Sequence, residues 1–238
     1  MPDAIYDITN ALFAGPDPAQ LAKIREGVVF LIALILSIAV HEFGHAIVAD
    51  KLGDRTPRHQ GRVTLNPLVH ADPIGTLIFP IVGFFFMGGV IFGWGKPVMV
   101  NPAAFTRKLR MKVSHLLVAI AGPVMNVLLA ILVSGILAIL LATHVVKAGT
   151  PIFSGIVGVI LLNWILVFFN LIPCPPLDGG TVLAGLLPDK YNNVVEFLQQ
   201  YGFIILLGLL LTGAIGIFVK PAIWLTNLTI RLLLPLAV

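Results

Sequence analysis

Residues 31–50 read LIALILSIAVHEFGHAIVAD. Ten aliphatic or small residues, Leu31 to Val40, run into His41, Glu42 and His45 with no turn signal between them. The run predicts a helix suited to hydrocarbon, yet imidazole and carboxylate are groups that hydrocarbon rejects. Residues four apart on an α-helix are separated by about 400° of rotation, so His41 and His45 project from one face. Neutral imidazoles are good Zn²⁺ ligands, and the carboxylate between them lies close enough to act as a general base. The bland alternative is a pair of core histidines with a structural glutamate. In a bilayer each ionisable group near the centre costs about 2.5–3.5 kcal/mol even on lenient scales. Three of them in five positions need a compensating partner, and a bound cation supplies one.

The composition supports the bilayer. The 238 residues are 58% apolar and 11% charged, against about a quarter charged in soluble domains. The net charge of +4 does not point to nucleic acid, because the basic residues sit between apolar runs. One cysteine, Cys174, excludes an intramolecular disulfide.

Spanning takes roughly 20 apolar residues. Stretches at about 27–49, 114–142, 152–172 and 202–219 qualify, and 221–238 forms a possible last helix. Residues 1–26 are expected to be an N-terminal tail with a short interfacial helix, Asp17 capping it and Pro18 at its first position. Acidic residues and prolines there do not look like a cleaved signal. Residues 27–238 are expected to form a single domain.

The segment 74–98, IGTLIFPIVGFFFMGGVIFGWGKPV, is apolar enough to span but punctuated by Pro80, Gly83, Gly88, Gly89, Gly93 and Gly95. Its second half reads as a strand or hairpin, a backbone tolerated at membrane depth only inside protein or along a cavity. Charge counting favours a re-entrant path. A single crossing divides the lysines and arginines 8 against 7, whereas a return to the same side divides them 10 against 5. The basic side, 51–112 and 173–201, is then cytoplasmic. The expected fold class is an all-α polytopic membrane protein, a helical bundle with a small re-entrant or β-hairpin element between its first two core helices.

A catalytic zinc needs a third protein ligand. Asp178, in the proline-rich break FFNLIPCPPLDGG (168–180), is the best candidate, although an aspartate before Gly-Gly is also a common turn residue. With 74–98 re-entrant, the helices at 27–49 and 152–172 run parallel, and Asp178 comes to the depth of the histidines. His70 and Asp72, in GRVTLNPLVHADPIGT (61–76), could gate the site or bind a second ion; a turn held by Asn66, Asp72 and two prolines explains them as well. His115 and the basic run 106–112 read as interfacial anchors, and Asn126 and Asn163 as hydrogen bonds between helices.

HEFGH in one membrane helix and NLIPCPPLDGG closing a later one resemble the site-2 protease family of intramembrane zinc metalloproteases. The resemblance covers about residues 27–180. It implies one Zn²⁺ held by His41, His45 and Asp178, Glu42 as the catalytic carboxylate, and Asn170 steadying the oxyanion. GPVMN, Gly122 to Asn126, matches the family's small-x-x-x-polar pattern. A PDZ domain or nucleotide-sensing repeats, present in some members, are not expected. The implied function is a multi-pass endopeptidase cutting transmembrane protein substrates in the lipid bilayer, with its site toward the cytoplasm of a prokaryotic cell. The rivals are a membrane metal transporter, against which no inverted repeat is found, and a non-catalytic metal-stabilised scaffold.

Overall fold

The computed structural model describes residues 17–86 and 93–237. Helix α1, Pro18–Lys51, starts where the sequence places it: the Asp17 side chain accepts from the Ala19 N–H and Pro18 stands at the first position. It does not stop as a short surface helix but continues through the HEFGH segment as one rod of 34 residues. At 1.5 Å per residue that is about 51 Å, longer than a hydrocarbon core. The other principal helices are α2 (Phe79–Phe86), α3 (Met111–Ala142), α4 (Pro151–Asn170), α5 (Asp178–Leu186), α6 (Asn192–Leu211) and α7 (Gly216–Leu233). Five helices are long and apolar enough to cross a membrane.

Two boundaries differ from the sequence reading. The helix expected at 202–219 lies at 192–211, and the last begins at Gly216. Gly213, at φ 72°, makes the turn between them. Within 74–98, residues 73–78 form a π-helical turn that runs into α2. The cause is local: Asp72 Oδ1 accepts from the N–H groups of Ile74 and Gly75, and Pro73 is preset for a first helical turn. Residues 93–100 form neither helix nor strand, and no strand is formed among the described residues. Residues 87–92, the middle of the expected hairpin, lie outside the described residues.

The bundle is built on α1, α3 and α4. α1 and α3 are antiparallel: His45 meets Val118, Gly44 meets Ala121, and Ser37 meets Asn126. A Cβ on Gly44 would lie 2.6 Å from Ala121 O, so the two backbones touch only because that side chain is missing. α3 and α4 are antiparallel too, through Leu137, Leu141 and Ile160 with Phe153 and Trp164 around them. α1 and α4 are therefore parallel, and Ala33, Leu34, Ile38 and Leu162 form the seam between them. Two polar ties close the base of the 52–106 excursion. Asp54 accepts from Thr56 N and Asn101 N at 2.9 and 2.6 Å, and Leu52 O accepts from Thr106 N at 2.7 Å.

Candidate metal centre

His41 and His45 lie on the C-terminal half of α1, both buried, and face α3. His45 Nδ1 is 2.7 Å from the carbonyl of Val118. A carbonyl only accepts, so Nδ1 carries the proton and Nε2 keeps its lone pair free for a ligand. His41 Nδ1 lies 2.7 Å from Asn126 Oδ1. Gly122 makes this approach possible, since a Cβ there would sit 2.4 Å from His45 Nε2 and 2.6 Å from His41 Cε1.

Asp178 reaches the same place from α4. After Asn170 the chain breaks through Pro173, Pro175 and Pro176 and restarts as α5 with Asp178 in its first turn. The following glycine folds that start tightly onto the break: a Cβ on Gly179 would overlap the carbonyls of Leu171 and Ile172. Asp178 Oδ2 stands 3.1 Å from His41 Nε2 and 3.3 Å from His45 Nε2, and the two Nε2 atoms are 3.0 Å apart. Asp178 Oδ2 is buried without a hydrogen-bond partner.

These three atoms fit a zinc ion. Ligands about 2.0–2.1 Å from a tetrahedral centre lie roughly 3.3–3.4 Å from each other, close to the three separations found. Two nitrogens and a carboxylate oxygen converging with lone pairs foremost would repel one another without a cation between them. Among the described residues His41, His45 and Asp178 are the group of three or more His, Cys, Asp or Glu side chains able to hold a metal ion.

The centre opens on a cavity of about 650 Å³ that also touches Glu42, His115, Asn170, Gly95, Val98 and Phe203. Glu42 Oε2 accepts from the backbone N–H of Val98 at 3.1 Å, so the 93–100 segment passes next to the carboxylate. Asn170 lines the cavity, and its amide donates back to Leu166 O one turn earlier at 2.9 Å. His115, read from sequence as an interfacial anchor, lines the cavity and sets its ring against Phe105. His70 and Asp72 take no part in the centre. His70 Nε2 bonds Thr64 O, and Asp72 caps the π-helical turn.

Sequence reasoning missed the second layer: Val118 O behind His45, Val98 N–H on Glu42, and the pairing of Asn126 with His41. A signal for α3 was present. Ser114, Gly122 and Asn126 are spaced by multiples of four and put small and polar residues on one stripe of a mostly apolar helix.

Comparison with known proteins places the chain in a family. Peptidase family M50 matches residues 29–158 and 133–209. "Putative zinc metalloprotease YwhC" of Bacillus subtilis is 37% identical over 186 residues, covering 76% of this chain and 80% of that protein. "Putative zinc metalloprotease Rip2" of Mycolicibacterium smegmatis is 31% identical over 182 residues, covering 76% and 66%. Rip2 of Mycobacterium tuberculosis H37Rv is 29% identical over 222 residues, covering 92% and 81%. No solved structure matches.

Proposed function

The chain belongs to peptidase family M50, the site-2 protease family of zinc metalloproteases, and we propose that it hydrolyses peptide bonds in or near the transmembrane segments of other proteins. The observation that carries this reading is the meeting of His41, His45 and Asp178 beside Glu42 in a cavity walled by membrane-type helices.

Zinc held by these three side chains would lower the pKa of a water toward 7 and polarise the carbonyl to be attacked. Glu42 takes the proton from the attacking water and delivers it to the leaving amine. The Val98 N–H, bound to Oε2, fixes the carboxylate's orientation and leaves Oε1 for the proton. Asn170 stands on the cavity wall, where a second amide N–H beyond the one given to Leu166 helps carry the charge of the tetrahedral intermediate.

A substrate helix hides its carbonyls in its own hydrogen bonds and must unwind to be cut. Residues 93–100 offer an edge to hold it. Trp94 N, Lys96 N and Val98 N turn inward, to Gly75 O, His70 O and Glu42. By the period-two alternation of an extended chain, Gly95 and Met99 direct their N–H groups the other way. Strand addition along that side holds the substrate extended over the centre.

The re-entrant path of 74–98 belongs to the same proposal. Its support is that α1 and α4 are parallel and that His45 and Asp178 meet near their C-terminal ends. The exposed cations Arg107, Lys108 and Arg110 at that end favour the cytoplasm.

The test is Glu42→Gln in detergent-purified protein, alongside Asp178→Ala, with bound zinc and cleavage of single-span reporter proteins both measured. Glu42→Gln is expected to keep about one zinc and lose 10²–10⁴-fold in rate. Asp178→Ala is expected to lose the zinc. Undiminished cleavage by a zinc-loaded Glu42→Gln enzyme would remove Glu42 from the mechanism.

A further inference from the structure

The bond between His41 Nδ1 and Asn126 Oδ1 could be made in two ways. If the Asn126 amide turned over, it would present N–H to His41, the imidazole proton would move to Nε2, and the ligating lone pair would be gone. The choice is made further back in a closed set of buried contacts. Asn126 Nδ2 lies 3.2 Å from Ser37 O and 2.9 Å from Asn163 Oδ1. Asn163 Nδ2 lies 2.9 Å from Val159 O and 3.0 Å from Ser37 Oγ.

Two of these groups, the main-chain carbonyls of Ser37 and Val159, can only accept. Val159 O requires the nitrogen of Asn163, which turns that residue's oxygen to Asn126. Ser37 O requires the nitrogen of Asn126, which turns its oxygen to His41. The imidazole must then hold its proton on Nδ1 and aim the Nε2 lone pair at the centre. Turning Asn126 alone would set its oxygen against Ser37 O and Asn163 Oδ1. Turning both amides would leave the conflict at Ser37 O and add a second at Val159 O. Asn126 and Asn163 have no exposed surface and Ser37 has 1%, so water cannot relieve either arrangement. His45 needs no such device, because it faces a carbonyl directly.

We propose that Ser37, Asn163 and Asn126 form a positioning relay that selects the zinc-binding tautomer of His41, so that Asn163 controls metal affinity without touching a ligand. The relay begins and ends on α1, one turn apart, and passes through α3 and α4, so metal binding also senses whether the three core helices are in register. The proposal rests on the reading of His41, His45 and Asp178 as the zinc site.

The experiment uses the full chain in detergent, with zinc affinity measured by chelator competition and the tautomer of ¹⁵N-labelled histidines read by NMR after zinc is stripped. Asn163→Leu is expected to weaken zinc about 10-fold, within the 10–100-fold range of outer-layer losses, and to raise an Nε2–H signal. Asn126→Leu with Asn163→Leu should bind zinc no more weakly than Asn126→Leu alone, since Asn163 acts only through Asn126. Asn163→Asp, neutral when buried, keeps an oxygen toward Asn126 and a donor toward Val159 O, and should stay within about threefold of the wild type. It also serves if the leucine variant does not fold. Ile160→Ala, buried on the same helix but outside the relay, should lower thermal stability and leave zinc affinity alone. Wild-type affinity and an unchanged Nδ1–H signal in Asn163→Leu would overturn the relay while leaving the zinc site intact. Wild-type zinc in Asp178→Ala would overturn the zinc site itself, and the relay with it.

Discussion

Gly122 gives the sharpest measure of how closely the helices are set around the centre. An alanine Cβ there would lie 2.4 Å from the Nε2 of His45, the atom that must face the metal, whereas ordinary contact begins at 3.4 Å. α3 and the histidine pair would have to part by about 1 Å, several times the roughly 0.2 Å latitude of metal–ligand distances. A misplacement of that size costs on the order of 10²-fold in rate, and the overpacking itself about 1–3 kcal/mol. Gly135→Ala, on the same helix with nothing within 4 Å of the new methyl, is the matched control. It should be neutral or stabilising by about 0.5–1 kcal/mol, the usual gain over glycine in a helix. Zinc content, reporter cleavage and thermal unfolding of the two variants in detergent give the comparison. A Gly122→Ala protein that bound one zinc and cleaved at the wild-type rate would show that α3 does not press on the histidines.

Two further perturbations test the parts around the centre. Val98→Pro removes the N–H that Glu42 Oε2 accepts; a hydrogen bond to a charged group contributes about 1.5–3 kcal/mol, so a rate loss of at least 10-fold at unchanged zinc content is expected, and an unchanged rate would show that Glu42 needs no such support. Asp54→Ala leaves two N–H groups unpaired, on Thr56 and Asn101, and should destabilise the protein by about 1–3 kcal/mol in thermal unfolding, with Asp54→Asn recovering part of the loss; equal stability of all three would refute the clasp.

The core of the site was legible because its signals are local. HEFGH is five consecutive residues whose meaning depends only on helical periodicity, and the proline break before Asp178 marks where a helix must stop. Combining them required one argument, that α1 and α4 run parallel, which charge counting supplied. The errors lie where apolar sequence hides a boundary. LLGLLLTGAIGIFV, residues 206–219, reads as one unbroken run, and only the positive φ of Gly213 divides it. At the other end, the charges of the Asp17–Glu26 segment look like a surface helix because sequence does not show that the same rod continues into the apolar run. Asn126 was legible as a helix-to-helix hydrogen bond but not as the partner of His41. That assignment needs the relative rotation of α1 and α3, which depends on the close approach at Gly44 and Gly122 rather than on any motif.

The excursion from Leu52 to Thr106 is joined at its base by Leu52 O with Thr106 N and by Asp54 with Asn101 N. The chain between those points forms a cassette. Its length can drift with little effect on the spacing of the histidines, since lengthening a loop whose ends are already joined costs only about 0.6 kcal/mol per doubling. Residues 94–98 are held in place over Glu42, with His70 O and Gly75 O as their further partners. On the proposed function, the part that grips a substrate and the centre that cuts it are thus free to change separately.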